Sequence, residues 1–174
     1  MLQPEGPSPP DLLGIDLPGL ERVVDSLGEK RFHARQIYRW IYARRAESFD
    51  RMTDLSRPLR DKLAARFVLR WPEVVKIQES ADGTRKYLLA PPSGGKVESV
   101  CIPEEDRLTF CISPQIGCAL DCRFCLTAQL GFVRDLTAGE IVGQVLVLLG
   151  DNAARAQGRP VNIVMMGMGE ALHN

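Results

Sequence analysis

Several features that mark large classes of protein are absent from this sequence. No uninterrupted apolar run approaches the roughly 20 residues that a membrane-spanning helix needs. The first fourteen residues, MLQPEGPSPPDLLG, contain neither the basic region nor the apolar region of a signal peptide. With 174 residues, the chain is also shorter than a closed eight-stranded α/β barrel, which takes about 250. The sequence therefore predicts no membrane span, no secretory leader and no complete barrel.

Net charge is absent too, because 22 basic residues balance 22 acidic ones. The balance is not local, since the segment 30–70 contains twelve Lys or Arg and only four Asp or Glu. Such an excess of positive charge is typical of a surface that binds phosphate groups, although solvated helix faces would give the same count. Tyr38, Trp40 and Tyr42 lie among these arginines, and the helical spacing of the region predicts that most of them are buried.

The cysteines indicate the redox compartment. There are five of them, an odd number, and three lie within eight positions of the chain. This distribution suits a reduced intracellular thiol site better than a disulfide framework. We therefore expect a soluble cytoplasmic protein with no membrane partner.

The periodicity of the apolar residues divides the chain into regions. Spacings of three and four predict about three helices between residues 17 and 67. After Pro72 the spacing changes to two, which predicts strands, with Asp82-Gly83 as a hairpin turn. The expected regions are a flexible leader at 1–16, a helical accessory domain at 17–71, a β-hairpin connection at 72–106 and an α/β region at 107–174.

The last region has the pattern of a strand, a long loop, a helix and a second strand. Thr137 and Glu140 form a capping-box pair before an apolar helix that ends near Gly150, and the apolar run 161–166 predicts a buried parallel strand. Ligands of such βαβ units bind beyond the carboxyl ends of the strands. That edge receives the loop 117–131, which carries three cysteines, and the Gly-Met-Gly-Glu loop 167–170. The second loop, taken alone, predicts no more than a turn.

The three clustered cysteines, Cys118, Cys122 and Cys125, have the spacing Cys-x3-Cys-x2-Cys. Three thiolates in one loop can hold three corners of a four-iron cluster and leave the fourth iron open to another ligand. A structural zinc site instead takes four protein ligands, commonly as two Cys-x2-Cys pairs. The only histidines, His33 and His173, lie far from the loop in sequence. The spacing therefore favours a [4Fe-4S] cluster over zinc.

The segment 111–132, CISPQIGCALDCRFCLTAQLGF, resembles the radical S-adenosylmethionine (SAM) adenine-C2 methyltransferases of ribosomal and transfer RNA, the RlmN family. The segment 165–174 resembles the second motif of that family, and the similarity extends from about Leu17 to the last residue. The resemblance implies that the helical domain binds RNA and that 23S rRNA and tRNA are the substrates. It also implies a [4Fe-4S] cluster, SAM, an electron donor such as flavodoxin, and a monomer.

The resemblance assigns the cofactor contacts to particular residues. Cys118, Cys122 and Cys125 hold the cluster, whose open iron binds SAM, and Gly169 and Glu170 help to bind SAM. Members of the family use two SAM molecules. One methylates a protein cysteine, and the other gives the radical that activates this methyl group for attack on the adenine ring.

Two further roles concern the reaction. Glu98 matches the carboxylate that accepts the proton when the base regains aromaticity. Cys111 matches the cysteine that resolves the protein–RNA crosslink by forming a disulfide. Without the resemblance to the family, Glu98 would be interpreted as a solvated strand residue and Cys111 as a buried strand residue. Cys101 has no matched role, and its place in the neighbouring strand predicts that it can face Cys111 and form an adventitious disulfide with it.

The chain departs from the family in two places. The methyl-carrying cysteine belongs to the C-terminal region of the family and has no candidate here, so we expect an N-terminal fragment that is inactive alone. Ala171 stands where the family has proline, as in the related adenine-C8 methyltransferases, while 127–129 and 131–132 resemble the C2 enzymes. The expected fold is α/β: a basic helical N-terminal domain and β-hairpins that lead into the first βαβ unit of an incomplete radical SAM barrel. The alternatives are an adenine-C8 methyltransferase and a zinc-stabilised RNA-binding module.

Overall fold

The computed structural model of the chain describes residues 9–120 and 122–174. It contains two compact units, Met1–Arg70 and Trp71–Asn174. The first eight residues of the predicted leader lie outside the described residues. Within the described ranges, no helix is both long enough and apolar enough to cross a lipid bilayer.

The first unit is helical, and its three predicted helices are confirmed. They are α1 (Leu17–Ser26), α2 (Phe32–Tyr38) and α3 (Arg57–Arg66), with a π-helical turn at Arg39–Ala43 directly after α2 and a 3-10 turn at Phe49–Arg51. The Asp16 carboxylate begins α1 by accepting the Gly19 N–H at 2.8 Å, and the Ser56 hydroxyl accepts the Leu59 N–H at the start of α3. Short polar side chains begin helices in this way because the first turn has N–H groups with no partner inside the helix.

The core of the helical unit is formed by side chains three or four residues apart, which share one face of each helix. They include Leu20, Val24, Ile37, Ile41, Leu59 and Leu63. The prediction that most aromatic residues of this region are buried is wrong. Tyr38 is 40% exposed, and Trp40 and Tyr42 are only half-buried, because Ile37 and Ile41 fill the core.

Part of the predicted leader is folded. The Leu12 N–H donates to the Val68 carbonyl at 3.0 Å, and the Val68 N–H donates to the Pro10 carbonyl at 3.1 Å. Leu12 and Leu13 are buried. Burying a leucine side chain stabilises the folded state by about 1.5–3 kcal/mol, which outweighs the proline-rich composition, so the description as a flexible leader does not hold for residues 10–13.

The second unit combines two sheets with three helices. The strands are β1 (Glu73–Glu79), β2 (Arg85–Ala90), β3 (Val97–Pro103), β4 (Leu108–Cys111), β5 (Gln115–Gly117), β6 (Phe132–Asp135) and β7 (Val161–Val164). The helices are α4 (Leu126–Gln129), α5 (Ala138–Asp151) and α6 (Ala153–Ala156), and a 3-10 turn covers Ala171–His173. One sheet has the order β1-β2-β3-β4-β7, and β5 pairs with β6 in a second sheet. The pairs are antiparallel up to β4, whereas β4 and β7 are parallel.

The order of the predicted βαβ unit is confirmed by β4, α5 and β7, with β7 parallel to β4. The prediction of a buried strand over 161–166 is wrong, because β7 ends at Val164 and Ile163 is 52% exposed. The Thr137 hydroxyl accepts the Glu140 N–H, and the Glu140 carboxylate accepts the Thr137 N–H, so the capping box at the start of α5 is present. The helix continues past Gly150, because the Asn152 amide donates to the Tyr87 hydroxyl at 2.8 Å and thereby ties the end of the helix to β2.

The two faces of the five-stranded sheet differ, because side chains alternate between the faces along each strand. One face packs with α5 around a core that includes Tyr87, Leu89, Val97, Cys101, Leu108 and Phe110. The register places a different set on the opposite side, which we call the outer face: Lys76, Lys86, Leu88, Glu98, Val100 and Cys111.

Candidate functional site

The two residues predicted to take part in the reaction share the outer face. Glu98 lies near the start of β3, and Cys111 is the last residue of β4. Val100 is the direct partner of Cys111, so Glu98 is the diagonal neighbour of Cys111. Diagonal neighbours lie about 7–8 Å apart in antiparallel sheets. A single planar ring placed on this face can therefore contact both side chains.

Glu98 borders a cavity of about 210 Å³ on the outer face. The cavity is lined by Lys76, Gln78, Lys86, Leu88 and Glu98. The Lys86 Nζ lies 3.0 Å from the Glu98 Oε1, and each side chain is 45% exposed. A solvated ion pair of this kind contributes at most about 1 kcal/mol to stability, so the carboxylate can exchange its lysine partner for a ligand at little cost.

Cys101 and Cys111 lie on opposite faces of the sheet. Cys101 is paired with Phe110 and is fully buried on the α5 side, whereas Cys111 is paired with Val100 on the outer face. The prediction that Cys101 can face Cys111 is therefore wrong, and all five cysteines are free thiols. Burial raises the pKa of both thiols, and an N–H from Met166 partly offsets that rise at Cys111.

The cysteine loop begins and ends on the β5–β6 pair, which the sequence did not predict. Gly117 at the end of β5 pairs with Phe132 in β6, and the Cys118 N–H donates to the Gly131 carbonyl at 3.2 Å. Gly117 has a φ of +74°, and a Cβ at this position would overlap the Gly131 carbonyl oxygen. Glycine at 117 is therefore required both by the backbone conformation and by the close approach of the two strands.

The three loop cysteines are half-buried. Cys118 follows β5, the Cys125 N–H donates to the Cys122 carbonyl at 2.9 Å, and Cys125 caps α4. Backbone N–H groups at the start of α4, that of Ala128 first, lower the pKa of the Cys125 thiol. Asp121, within the same loop, lies outside the described residues.

The donor chemistry of this loop fits an iron–sulfur cluster. It offers three reduced thiols, and the thiolate form that binds iron is favoured at Cys125. Among the residues that the structure describes, no group of three or more His, Cys, Asp or Glu side chains converges as a metal site. Apolar side chains around the cysteines face solvent, and Phe124 is 95% exposed. An exposed apolar rim of this kind is typical of a surface that receives a ligand or another chain.

The glycine–acid loop packs on the segment that leads into the cysteine loop. The Gly167 N–H donates to the Ile112 carbonyl at 3.0 Å, and the Glu170 N–H donates to the Gln115 side chain at 2.9 Å. A Cβ on Gly169 would lie 2.6 Å from the Gln115 Cβ. Gly167 and Gly169 therefore allow this loop to pack closely against residues 112–115. The Glu170 carboxylate accepts the Leu172 N–H at 3.1 Å. The glycine–acid loop therefore lies against β5, the strand from which the cysteine loop begins.

A buried polar cluster, which the sequence did not predict, connects these parts. The Gln144 amide on α5 accepts the Ser113 N–H at 2.9 Å and donates to the Ser113 carbonyl at 2.8 Å. The Ser113 hydroxyl donates to the Glu98 carbonyl at 2.6 Å and accepts the Met168 N–H at 2.8 Å. Ser113 therefore joins the Glu98 strand to the glycine–acid loop. A glutamine on the apolar stripe of α5 was the only sequence signal for this cluster.

A second unpredicted contact fixes the end of the cysteine loop. Arg134 in β6 donates to both carboxylate oxygens of Glu140, each at 2.8 Å, and also to the Gly94 carbonyl at 2.8 Å. The Glu140 side chain is 4% exposed. Its burial would raise the carboxyl pKa, but the Arg134 guanidinium and the Thr137 N–H hold the pKa below its usual value. Glu140, which belongs to the capping box of α5, thus also binds Arg134 of β6.

The basic residues of the helical unit are mostly exposed. Within segment 30–70, only Arg31 and Lys62 form ion pairs, with Asp25 and Glu29, among the described residues. The rest of the positive charge of this segment is not paired with any described carboxylate of the unit. This arrangement is the electrostatic condition for binding a polyanion.

Comparison with known proteins gives consistent matches over nearly the whole chain. Residues 10–69 match the ribosomal RNA large subunit methyltransferase N-terminal domain, RlmN_N. The chain is 48% identical over 171 residues to the dual-specificity RNA methyltransferase RlmN of Saccharophagus degradans, covering 97% of this chain and 43% of that protein. It is 49% identical over 166 residues to RlmN of Halorhodospira halophila, covering 95% of this chain and 45% of that protein. The chain thus spans less than half the length of these curated relatives.

A solved structure has the same fold. The radical SAM methyltransferase from Sphaerobacter thermophilus aligns with a TM-score of 0.86 and 41% sequence identity, over 95% of this chain and 49% of that one. This match covers both the helical unit and the sheet unit. Together with the curated relatives, it shows that nearly the whole chain is similar to part of the RlmN and radical SAM methyltransferases.

Proposed function

We propose that this chain contributes the RNA-binding domain and the cluster-binding half of a radical SAM enzyme that methylates C2 of adenosine in 23S rRNA and tRNA. The observation that carries the proposal is the placement of Glu98 and Cys111 as diagonal neighbours on one face. The segment between that face and the cysteine loop is held by Gln144 and Ser113. The names of the curated relatives support the RNA substrates.

Cys118, Cys122 and Cys125 would hold a [4Fe-4S] cluster, with Gly169 and Glu170 beside it as contacts of SAM. When bound, cluster and SAM supply the radical chemistry, which is the cofactors' own. The contribution of the chain is to fix the loop on β5–β6 and to pack the glycine–acid loop against residues 112–115.

Glu98 and Cys111 would act on the RNA base. The Glu98 carboxylate takes the proton from the ring carbon, and its solvated contact with Lys86 leaves it free to approach a base. Cys111 would attack the sulfur of the methyl-carrying cysteine, which the family has in its C-terminal region, so that a disulfide forms as the sulfur–carbon bond of the crosslink breaks and its electrons pass to the RNA product. Burial raises the pKa of the Cys111 thiol, which disfavours the reactive thiolate form.

Anaerobic reconstitution of the chain with iron and sulfide tests the cluster assignment. We expect about four irons per chain and the absorbance of thiolate-to-iron charge transfer. Both should be lost when Cys118, Cys122 or Cys125 is replaced by alanine. Cys101→Ala is the matched control, because Cys101 lies on the opposite side of the sheet from Cys111 and should leave iron content unchanged. Stoichiometric zinc without iron uptake would instead favour a zinc-stabilised RNA-binding module.

A second experiment separates the two methylation sites. tRNA is incubated with SAM, a reductant and a complete enzyme that carries this chain, and its nucleosides are analysed by mass spectrometry. The proposal expects 2-methyladenosine, and 8-methyladenosine would contradict it. Glu98→Gln should abolish product formation while leaving iron content and SAM binding intact, because the amide cannot accept the proton.

A further inference from the structure

The end of the π-helical turn contains a backbone conformation that is costly for the residue that adopts it. Arg45 has a φ of +52° and is the one non-glycine with positive φ among the described residues. L-residues avoid this left-handed region because the Cβ crowds the backbone, and helices therefore usually end there on glycine. Gly28 takes this role after α1 with a φ of +71°. Arginine at position 45 is thus a strained choice where glycine would fit.

The neighbouring arginine is held by an aromatic ring. The Arg44 guanidinium carbon lies 4.2 Å from the centroid of the Trp40 ring, within the range of a cation–π contact. The indole is itself fixed at its edge, because the Trp40 Nε1–H donates to the Asp54 carboxylate at 2.5 Å. Stacking occupies the flat side of the guanidinium and leaves the N–H groups at its edge available.

Backbone hydrogen bonds of the π-helical turn fix the chain at Arg44 and Ala46, on either side of Arg45. The Arg44 N–H donates to the Arg39 carbonyl at 3.0 Å, five residues back, and the Ala46 N–H donates to the Trp40 carbonyl at 2.9 Å. Wide turns of this kind are frequent at functional sites. Neither Arg44 nor Arg45 forms an ion pair within the described part of the chain. Among the described residues, Arg45 therefore has no carboxylate partner that would offset the cost of its left-handed conformation.

We propose that Arg44 and Arg45 form a binding site for the phosphate groups of RNA, with Arg44 oriented by Trp40 and Arg45 by the strained end of the π-helical turn. The proposal rests on the proposed RNA substrate and names the residues that contact it. Guanidinium groups match phosphate because their N–H groups form paired, charge-assisted hydrogen bonds with its oxygens. The surplus of basic over acidic residues in segment 30–70 attracts the same ligand.

The left-handed conformation at Arg45 allows RNA binding to be separated from stability, because replacing the Arg45 side chain should not destabilise the folded chain. In Arg45→Gly and Arg45→Asn the left-handed conformation is easier to adopt, so the Tm should equal or exceed that of the unaltered chain. Binding of a fluorescein-labelled RNA stem–loop, followed by anisotropy, should weaken about tenfold. The slope of log K against log salt should become shallower by about 0.7–0.9, the loss of one phosphate contact. Arg45→Lys keeps the charge but loses the paired hydrogen bonds, so its affinity should lie between those of the unaltered chain and Arg45→Gly.

Arg31→Asn is the matched control. It removes the same charge from the same unit, but Arg31 is already paired with Asp25 at 3.0 Å, so its loss should change RNA affinity little. If Arg45→Gly binds RNA as tightly as the unaltered chain, or if Arg31→Asn weakens binding equally, the phosphate site is refuted while RNA binding by the helical unit stands. If the unaltered chain shows no salt-dependent RNA binding, both the site and the proposed RNA substrate are refuted.

Trp40 gives an independent readout of the Arg44 half of the site. The chain has two tryptophans, so Trp71→Phe leaves Trp40 as the sole indole fluorophore. RNA titration should change its emission in Trp71→Phe, and the change should be lost when Arg44→Gln is added. An emission unaffected by saturating RNA would refute the role of Arg44.

Discussion

The contact between Glu140 and Arg134 allows a prediction whose size follows from the geometry. Glu140→Gln keeps the shape of the side chain and one carbonyl oxygen for the Thr137 N–H, but it removes the negative charge that receives two guanidinium bonds at 2.8 Å. Breaking a buried ion pair by changing one partner costs about 3–5 kcal/mol. Arg134 is 26% exposed and can recover some hydration, so we expect the lower end, about 3 kcal/mol.

Urea denaturation of the sheet unit measures this cost. With a slope of about 1–3 kcal/mol per molar urea, the midpoint should fall by about 1–3 M. A double-mutant cycle with Arg134→Gln isolates the pair, and the coupling free energy should exceed about 1 kcal/mol. A coupling free energy near zero would refute the reasoning, because it would mean that solvent, and not Glu140, satisfies Arg134.

The same pair predicts a dependence on pH. The pKa of Glu140 is lowered in the folded chain, so its contribution to the free energy of unfolding is complete above the ordinary glutamate pKa and is lost as pH falls through the lower, folded value. The difference in stability between the unaltered chain and Glu140→Gln should therefore shrink on acidification. A difference that stays constant from neutral pH into the acid range would contradict the assignment.

Three further predictions concern other parts of the sheet unit. Gly117→Ala should disrupt the β5–β6 pair, since its Cβ overlaps the Gly131 carbonyl, and iron uptake should fall with little change in far-ultraviolet circular dichroism. Gln144→Leu should lower the free energy of unfolding by about 2–4 kcal/mol, because it leaves the Ser113 N–H and carbonyl buried without partners. Burial raises the pKa of Tyr87 to about 12, so its contribution is complete below the ordinary tyrosine pKa and is lost as pH rises through the folded value; Tyr87→Phe should lack this alkaline loss in urea titrations.

Local sequence signals were sufficient to predict the elements that are determined by residues close together in the chain. The capping box at Thr137 and Glu140 and the hairpin at Asp82-Gly83 were predicted correctly, because both are decided within about four residues. The continuation of α5 past Gly150 was not predicted, because it depends on the contact between Asn152 and Tyr87, which are far apart in sequence.

In the candidate site, too, some features could be predicted from the sequence and others depend on contacts between distant residues. The resemblance to the family supplied Glu98 and Cys111, and their positions on the outer face follow from the strand register. The β5–β6 pair escaped prediction because its strands have only three and four residues and show no clear alternation. The mistaken pairing of Cys101 with Cys111 arose because composition does not reveal the register, and a shift of one residue reverses the face of every side chain.

The register of β3 on β4 also restricts how this region can change in evolution. The two strands are joined by residues 104–107, and Pro103 is paired with Leu108 at the start of the hairpin. Inserting or deleting one residue within β3 would turn Glu98 towards α5 and bring Ser99 or Val97 to the outer face. Length variation tolerated by a surface hairpin must therefore remain within residues 104–107, outside the paired positions. We expect functional relatives to differ in the number of residues between Glu98 and Cys111 only where the β3–β4 register is preserved. This constraint follows from strand geometry and holds whichever residues line the site.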